Sequence, residues 1–284
     1  MSVIVKKQRS MFFSSDPRNG AKNVSNDGSS FTVALNSPLS IPKGAVMCEL
    51  GVSQASIWNT SPNISPSFEN NLFVFTTSNA ANAGTHTIVI AEGLYSLDGL
   101  NAFLAFEFTK LTLPANLITV VADDATQVCV LVFLEAGDQV NFTVPFTCRE
   151  VLGFDARMSP LTNGEPAGYP DFGDNPAAFN RNNSYLIRCN IVSYGIPVND
   201  RAANIIASVP ITAKVGSQIN YTPSNVLMSD ASELIGNSRT NLNFQLSNQS
   251  LQPTPTVGDY WSFILTLKYS LLLSDSTLPM NPSN

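Results

Sequence analysis

The stretch that decides the fold is THTIVIAEGLYSLDGLNAFLAFEF, residues 85–108. Its first six residues are threonine and β-branched apolar residues with one histidine, a composition typical of a strand that is buried on at least one side. Gly93 ends this strand, and Ser96 is placed to cap a helix whose apolar residues recur at helical spacing. We predict one short helix near residues 97–111, lying across a protein otherwise made of strands.

Short strands account for most of the remaining chain. Residues 31–36, FTVALN, alternate strictly between apolar and polar, whereas residues 127–137, QVCVLVFLEAG, form the nearly continuous apolar run of a central strand. About twelve such segments follow one another with turn residues between them. A parallel α/β fold needs a helix after nearly every strand, and the sequence pattern offers one helix. It therefore predicts an all-β fold of antiparallel sandwiches.

Changes in composition divide the chain into five segments. Residues 1–30 are polar and basic, which predicts a flexible N-terminal arm, and residues 31–155 hold the strands of a first sandwich. Residues 156–183 are rich in proline and glycine and are expected to be a long loop or linker. Residues 184–273 are expected to form a second sandwich or an inserted outer domain, and residues 274–284 a polar tail.

Charge is distributed unevenly along the chain. Only 13% of the 284 residues are charged, so we expect copies of the protein or other partners to cover much of the surface. The first 22 residues hold five basic residues and one acidic residue, a net charge of +4. Because the whole chain has a net charge of −6, the remaining residues carry −10. Nucleic acid, an anionic membrane or the acidic flank of a neighbour would attract the basic segment, although a solvated terminus without a partner is the alternative. The candidate assembly arm comprises Lys6, Lys7, Arg9, Arg18 and Lys22.

The cysteines indicate a reducing compartment. Cys48, Cys129, Cys148 and Cys189 lie in apolar or strand-like runs without CxxC spacing, which favours buried free thiols over disulfides. The N-terminal apolar run is too short for a signal peptide, and no run approaches the roughly 18 apolar residues of a membrane span. We expect a protein that is made inside a cell and is not exported by that route.

Residues that carry chemistry are sparse. His86 is the single histidine and lies in the middle of a strand, which excludes His-rich zinc sites and argues against a catalytic triad. Asp123 and Asp124 are explained by a turn, because no EF-hand spacing follows them. Phosphate-binding glycine loops and GxSxG elbows are absent from the sequence. We expect no catalytic residue, no metal site and no cofactor, and a protein that is not an enzyme.

One enzymatic alternative rests on the long loop. Glu165, Asp171 and Asp174 would be the carboxylates of a β-sandwich hydrolase or of a cation site. Carboxylates in a loop rich in proline and glycine serve mostly for solvation, so we rank this alternative low.

A binding alternative rests on aromatic residues. Trp58, Trp261 and Tyr260 would form an aromatic sugar platform, and a receptor-binding or lectin-like β-sandwich, such as a fibre or spike module, would use Trp58, Tyr169 or Tyr260. Both tryptophans lie in strong strands, however, and a tryptophan in that position is more often part of the core.

Four segments occur in a distinctive order: SSFTVALNSPLSIPKGAVMCELGVSQASIWNTSPNIS at 29–65, ENNLFVF at 69–75, HTIVIAEGLYSLDGLNAFL at 86–104 and CREVLGF at 148–154. This order resembles the jelly-roll capsid proteins of tailless icosahedral DNA viruses, above all the penton and minor capsid proteins of virophages and polinton-like viruses. The resemblance covers about residues 30–155 and, more weakly, the strands at residues 184–193 and 260–272.

The resemblance implies a jelly roll over residues 31–155 that stands upright in a capsid shell, with a second roll or an outer domain over residues 184–273. In that family, copies form pentamers at vertices, and fused rolls form pseudo-hexagonal trimers. About twelve strands fall short of a double roll, which favours a penton-like or minor capsid protein over a small double-jelly-roll major capsid protein. The implied partners are copies of the chain and neighbouring capsid proteins, with an internal membrane or packaged DNA as candidates for the arm. The implied location is the virion, after synthesis in the host cytoplasm.

Overall fold

The computed structural model shows two compact units, one made of residues 1–61 and 182–284 and one of residues 62–181. We call them the split unit and the inserted unit. The structure describes residues 2–180, 182–192, 195–198, 203–256 and 258–274. The predicted polar tail therefore lies outside the described residues, except for Ser274.

Strands dominate both units, and all ladders between named strands are antiparallel. The strands of the described residues are β1 (Ser2–Ser14), β2 (Ala21–Lys22), β3 (Ser30–Ser40), β4 (Ala45–Trp58), β5 (Leu72–Thr77), β6 (Gly84–Val89), β7 (Ile118–Asp123), β8 (Val128–Phe133), β9 (Gln139–Asn141), β10 (Met158–Ser159), β11 (Pro170–Phe172), β12 (Ser184–Cys189), β13 (Ile205–Pro210), β14 (Gln218–Tyr221), β15 (Ser229–Asp230), β16 (Ser238–Ser247) and β17 (Ser262–Ser274). The helices are α1 (Leu97–Lys110) and the single turn α2 (Arg149–Leu152), and 3-10 turns lie at Pro17–Asn19, Pro66–Phe68 and Ser232–Leu234. The predicted all-β antiparallel fold is confirmed.

The split unit has the strand order of a jelly roll. One of its sheets runs β1, β17, β4, β14, with β15 also beside β4, and the other runs β13, β12, β16, β3, β2. The eight main strands are β1, β3, β4, β12, β13, β14, β16 and β17, with the short β2 and β15 left out. When these eight are numbered 1 to 8 along the chain, the orders become 1-8-3-6 and 5-4-7-2. This interleaving of early and late strands in two facing sheets is the eight-stranded double Greek key of a jelly roll.

Aromatic side chains fill the space between the two sheets of the split unit. Phe13 and Phe263 come from one sheet and Phe31 and Phe244 from the other, and all four are buried. The ring of Phe244 lies 4.8 Å from that of Phe13 and 4.9 Å from that of Phe263. Aromatic rings at such distances add directional contacts to the burial of apolar surface, so they fix how the sheets pack.

The inserted unit combines two smaller sheets with α1. The sheets run β10, β9, β5, β6 and β11, β8, β7. The buried side of α1 carries Leu100, Leu104 and Phe108, and the ring of Phe108 lies 5.2 Å from that of Phe75 on β5. The helix begins as predicted, because the Ser96 hydroxyl accepts a hydrogen bond from the Gly99 N–H over 3.1 Å. The predicted helix near residues 97–111 is therefore confirmed.

The two units depart from the predicted segment boundaries. The sequence places one sandwich at residues 31–155 and another at residues 184–273. In the structure β3 and β4 pair with β16 and β17, so they belong with the last strands of the chain, and the inserted unit lies between β4 and β12. Periodicity identifies a strand but not its partner, which explains the difference.

All four cysteines are free and buried, as predicted. Burial raises the pKa of Cys48 and Cys129 to about 11 and that of Cys148 and Cys189 to about 12, so the thiols stay protonated and unreactive at neutral pH. Across the described ranges, no helix has the length and apolar character needed to cross a membrane.

Candidate assembly surface

β1 is the edge of its sheet. It pairs with β17 over its whole length, from Ser2 opposite Ser274 to Ser14 opposite Ser262. Within the described residues its other side has no ladder. An edge strand presents a row of backbone donors and acceptors, which makes it a ready surface for another chain.

The prediction that residues 1–30 form a flexible arm is therefore wrong. Residues 2–14 form a paired strand, and Phe13 packs in the aromatic core. Lys6, Lys7 and Arg9 interrupt the apolar alternation of this strand, so its pattern is hidden in the sequence. Deletion of residues 2–22 would remove an edge strand from the jelly roll, and it would therefore test folding as well as assembly.

The five candidate basic residues lie in three places. Lys6, Lys7 and Arg9 are exposed on β1, whereas Lys22 lies on β2 at the edge of the other sheet. Arg18 lies in the 3-10 turn that follows β1. The structure thus brings together three of the five residues.

Arg18 is engaged within the chain. Its Nε donates to both carboxylate oxygens of Asp16 over 3.0 Å, and its guanidinium lies 5.7 Å from the ring centre of Tyr260. The hydrogen bond from Arg18 lowers the pKa of Asp16. Arg18 therefore holds the turn after β1, which is a structural role.

Exposed apolar side chains lie beside Lys6 at the end of this sheet. Ile4 and its ladder partner Leu272 are 59% and 50% exposed. Ser270 lies two residues before Leu272 on β17, and its ladder partners are Lys6 on β1 and Met47 on β4. Because residues two apart on a strand share a face, Lys6 and Met47 lie on the same face of the sheet as Ile4 and Leu272. We call Ile4, Lys6, Met47 and Leu272, together with Lys7 on the same edge, the basic patch. Apolar surface exposed next to charge is typical of a contact surface.

Arg157 forms ion pairs with two of the three loop carboxylates. Its Nη1 lies 2.7 Å from Asp171 Oδ2 and its Nε 2.8 Å from Asp174 Oδ2. Burial works to raise the pKa of Asp174, but the hydrogen bond and the charge of Arg157 hold it below its ordinary value. The third candidate, Glu165, joins this region through its backbone carbonyl, which accepts the Gly137 N–H. Two carboxylates held by one guanidinium fasten a loop and are poorly suited to general acid catalysis.

The aromatic candidates fall in different units. Trp58 and Tyr260 belong to the split unit and are 37% and 44% exposed, so the expectation that Trp58 is core is wrong. It lies at the end of β4, where the core no longer covers the strand. Tyr169 belongs to the inserted unit and is half-buried. Trp261 is fully buried and donates from Nε1 to the Gly28 carbonyl.

The remaining polar candidates have structural partners. His86 Nε2 lies 2.9 Å from the Asn82 carbonyl oxygen, and its ring stacks on Phe75. Asp123 accepts hydrogen bonds from Ala125 and Thr126, which closes the predicted turn. No group of three or more histidine, cysteine or acidic residues that would hold a metal is found in the part of the chain that the structure describes.

Fold and surface together define a β-sandwich protein of the jelly-roll type with an exposed basic and apolar edge. No family model and no curated protein matches the chain. Among solved structures it is similar to the penton protein of mavirus, at 10% sequence identity and a TM-score of 0.43, over 93% of this chain and 99% of that one. At this identity and TM-score, the likeness establishes neither a family nor a function.

Proposed function

We propose that the protein is a structural component of an icosahedral virus capsid, and more narrowly a penton-like or minor capsid protein. The observation that carries the proposal is the basic patch, because it exposes Ile4 on the edge strand of a jelly roll, with Leu272 and Met47 on the next two strands of the sheet. Jelly rolls serve as capsid and lectin domains, and exposed apolar surface of this kind is typical of a subunit contact.

The strand order supports a penton-like protein over a double-jelly-roll major capsid protein. The split unit supplies one set of eight strands in jelly-roll order. The inserted unit has sheets of four and three strands in which most neighbours are close in sequence, which is a different arrangement. A single roll with an insertion is therefore the simpler description of the chain.

Assembly would use repeated weak contacts. A ring closes when one surface of each copy binds a different surface of the next. Burial of about 800 Å² per partner, at about 25 cal/mol per Å², gives a gross free energy that is larger than the net free energy of binding. The difference arises because the entropy lost on association offsets most of the gross free energy. Contacts that are individually weak allow a misplaced subunit to leave, while the closed shell is held by many of them.

The proposed partners are copies of the chain and neighbouring capsid proteins, and the proposed location is the virion. An internal membrane or packaged DNA is a further candidate partner for the basic edge. Catalysis is not part of the proposal, since Arg157 engages two of the three loop carboxylates that a hydrolase would use.

The mass of the purified assembly by native mass spectrometry tests the proposal. A pentamer is the expected result, and a trimer would favour a fused-roll shell protein instead. A protein that stays monomeric up to high micromolar concentration would overturn the capsid role.

A receptor-binding module is the second candidate. Trp58 and Tyr260 favour it, because both are partly exposed aromatic residues of the split unit, and Arg18 lies over the ring of Tyr260. A glycan array separates the two functions: binding that is lost in both Trp58→Ala and Tyr260→Ala, from a monomeric protein, would support the receptor-binding role.

A further inference from the structure

The two units carry opposite net charge. Residues 62–181 contain 13 acidic and 4 basic residues, a net charge of −9, whereas residues 1–61 and 182–284 contain 8 acidic and 11 basic residues, a net charge of +3. The acidic character of the chain therefore resides in the inserted unit. Surfaces of opposite sign on one chain allow copies to associate head to tail.

The inserted unit exposes apolar residues among acidic ones around Leu72. Leu72 is the ladder partner of Val89, and its N–H donates to the Phe146 carbonyl over 2.9 Å. Val89 and Phe146 are both exposed. The backbone thus brings the segments around residues 72, 89 and 146 side by side.

Three exposed glutamates lie within a few residues of this point. Glu69 precedes Leu72 by three residues, Glu92 follows Val89 by three, and Glu150 lies in the first turn of α2, four residues after Phe146. We call Val89, Phe146, Glu69, Glu92 and Glu150 the acidic patch. It matches the basic patch in kind, because each has an apolar centre flanked by charge, and it is opposite in sign.

We propose that the basic patch of one copy binds the acidic patch of a second copy, a contact that repeats from copy to copy. This inference rests on the proposed assembly function and names the two surfaces that would carry it. The apolar residues would supply the buried area, and the charges would set the orientation and the rate of association.

A symmetric pairing of two β1 edges is disfavoured. An antiparallel pairing of two β1 edges centred on Gln8 would place Lys7 of one copy opposite Arg9 of the other, and like charges in directly opposed positions destabilise a ladder. The charges on β1 therefore protect the edge from self-pairing and leave it open to an acidic surface.

A charge exchange tests the contact. One variant carries Lys6→Glu and Lys7→Glu, a second carries Glu92→Lys and Glu150→Lys, and a third carries all four changes. Each change is at an exposed position, so we expect circular dichroism and melting temperature to match the wild type. Sedimentation velocity at about 50 mM salt gives the dissociation constant of self-association.

We expect each double variant to weaken self-association by tenfold or more, and the fourfold variant to recover most of the loss, because every contact then again joins opposite charges. The matched control, Lys22→Glu with Lys214→Glu, makes the same charge change at exposed positions outside the patch and should have little effect.

The outcomes separate the two proposals. Oligomers that are unaffected by all charge changes would overturn this contact and leave the capsid role standing. A wild-type chain that never associates would overturn both. Vesicles containing phosphatidylserine provide a further check: vesicle binding lost in Lys6→Glu/Lys7→Glu, with self-association unchanged, would assign the basic patch to a membrane and overturn the contact.

Discussion

The guanidinium of Arg157 donates from Nη1 to Asp171 Oδ2 over 2.7 Å, and the side chains are only 14% and 15% exposed. The same guanidinium binds Asp174 and donates from Nη2 to the Phe172 carbonyl. One side chain therefore ties the segment after α2 to β11 and to the residues beyond it.

Replacement of Arg157 by methionine should destabilise the inserted unit by about 3 kcal/mol, because it leaves two partly buried carboxylates without a counter-charge. Urea unfolding followed by fluorescence measures the change. Lys110→Met is the matched control, since its ion pair with Glu107 is at the surface and should contribute less than about 1 kcal/mol. Equal effects of the two substitutions would contradict a special role for Arg157.

Asp138 should make the protein less stable as the pH rises. Its Oδ1 accepts the Ser78 N–H, its Oδ2 is buried without a hydrogen-bond partner in the described residues, and burial raises its pKa. A raised folded pKa means that the protonated form is favoured by folding, so the stability is present at low pH and is lost as pH rises through that pKa.

Asp138→Asn keeps the acceptor for Ser78 and removes the charge. We expect it to raise the melting temperature at pH 7.5, with an advantage that shrinks as the pH falls towards 4. Thermal unfolding at several pH values measures this. A difference that stays constant over the range, or grows in acid, would show that the carboxylate is not destabilised by burial.

Gly51→Ala should destabilise the split unit by about 1 to 3 kcal/mol through overpacking. A Cβ at Gly51 would collide with the Leu227 backbone carbonyl and the Val226 side chain. Gly44→Ala is the control, because a Cβ there meets nothing within 4 Å. If both variants unfold at the same denaturant concentration, the close approach of Leu227 is not maintained in solution.

Asn63→Ala should cost about 2 kcal/mol of stability. The buried amide of Asn63 donates to the Tyr95 and Phe179 carbonyls and accepts the Tyr95 N–H, so its removal leaves three backbone groups without a partner. Chemical denaturation compares it with Asn116→Ala, an exposed position at which we expect almost no change. A loss below about 0.5 kcal/mol would mean that water replaces the amide.

The sequence predicts correctly those elements that depend on neighbouring residues along the chain. Ser96 caps α1 where the pattern predicts it, and Leu100 and Leu104 form the buried face. The bulge of β4 at Ser53, where the ladder shifts between Ile264 and Leu265, depends on the partner strand and therefore has no local signal.

The candidate assembly surface was predicted only in part. The basic residues are visible as a run of charge, but Ile4, Met47 and Leu272 come together through the pairing of three distant strands. No periodic pattern records such a neighbourhood, so the apolar half of the surface emerges only from the fold. Asn63 was missed for the same reason, since its partners are 32 and 116 residues away.

The pairing of β1 with β17 also governs the order of events during synthesis. The hydrogen bond from the Trp261 N–H to Ser15 beside this ladder spans 246 residues, so β1 is synthesised long before its ladder partner β17. β1 therefore has no ladder partner until β17 has been synthesised, while the inserted unit has all of its own residues available for folding before the split unit does. Charged side chains on an unpaired strand oppose aggregation, so we expect the lysines and arginine of β1 to protect the nascent chain until β17 is available.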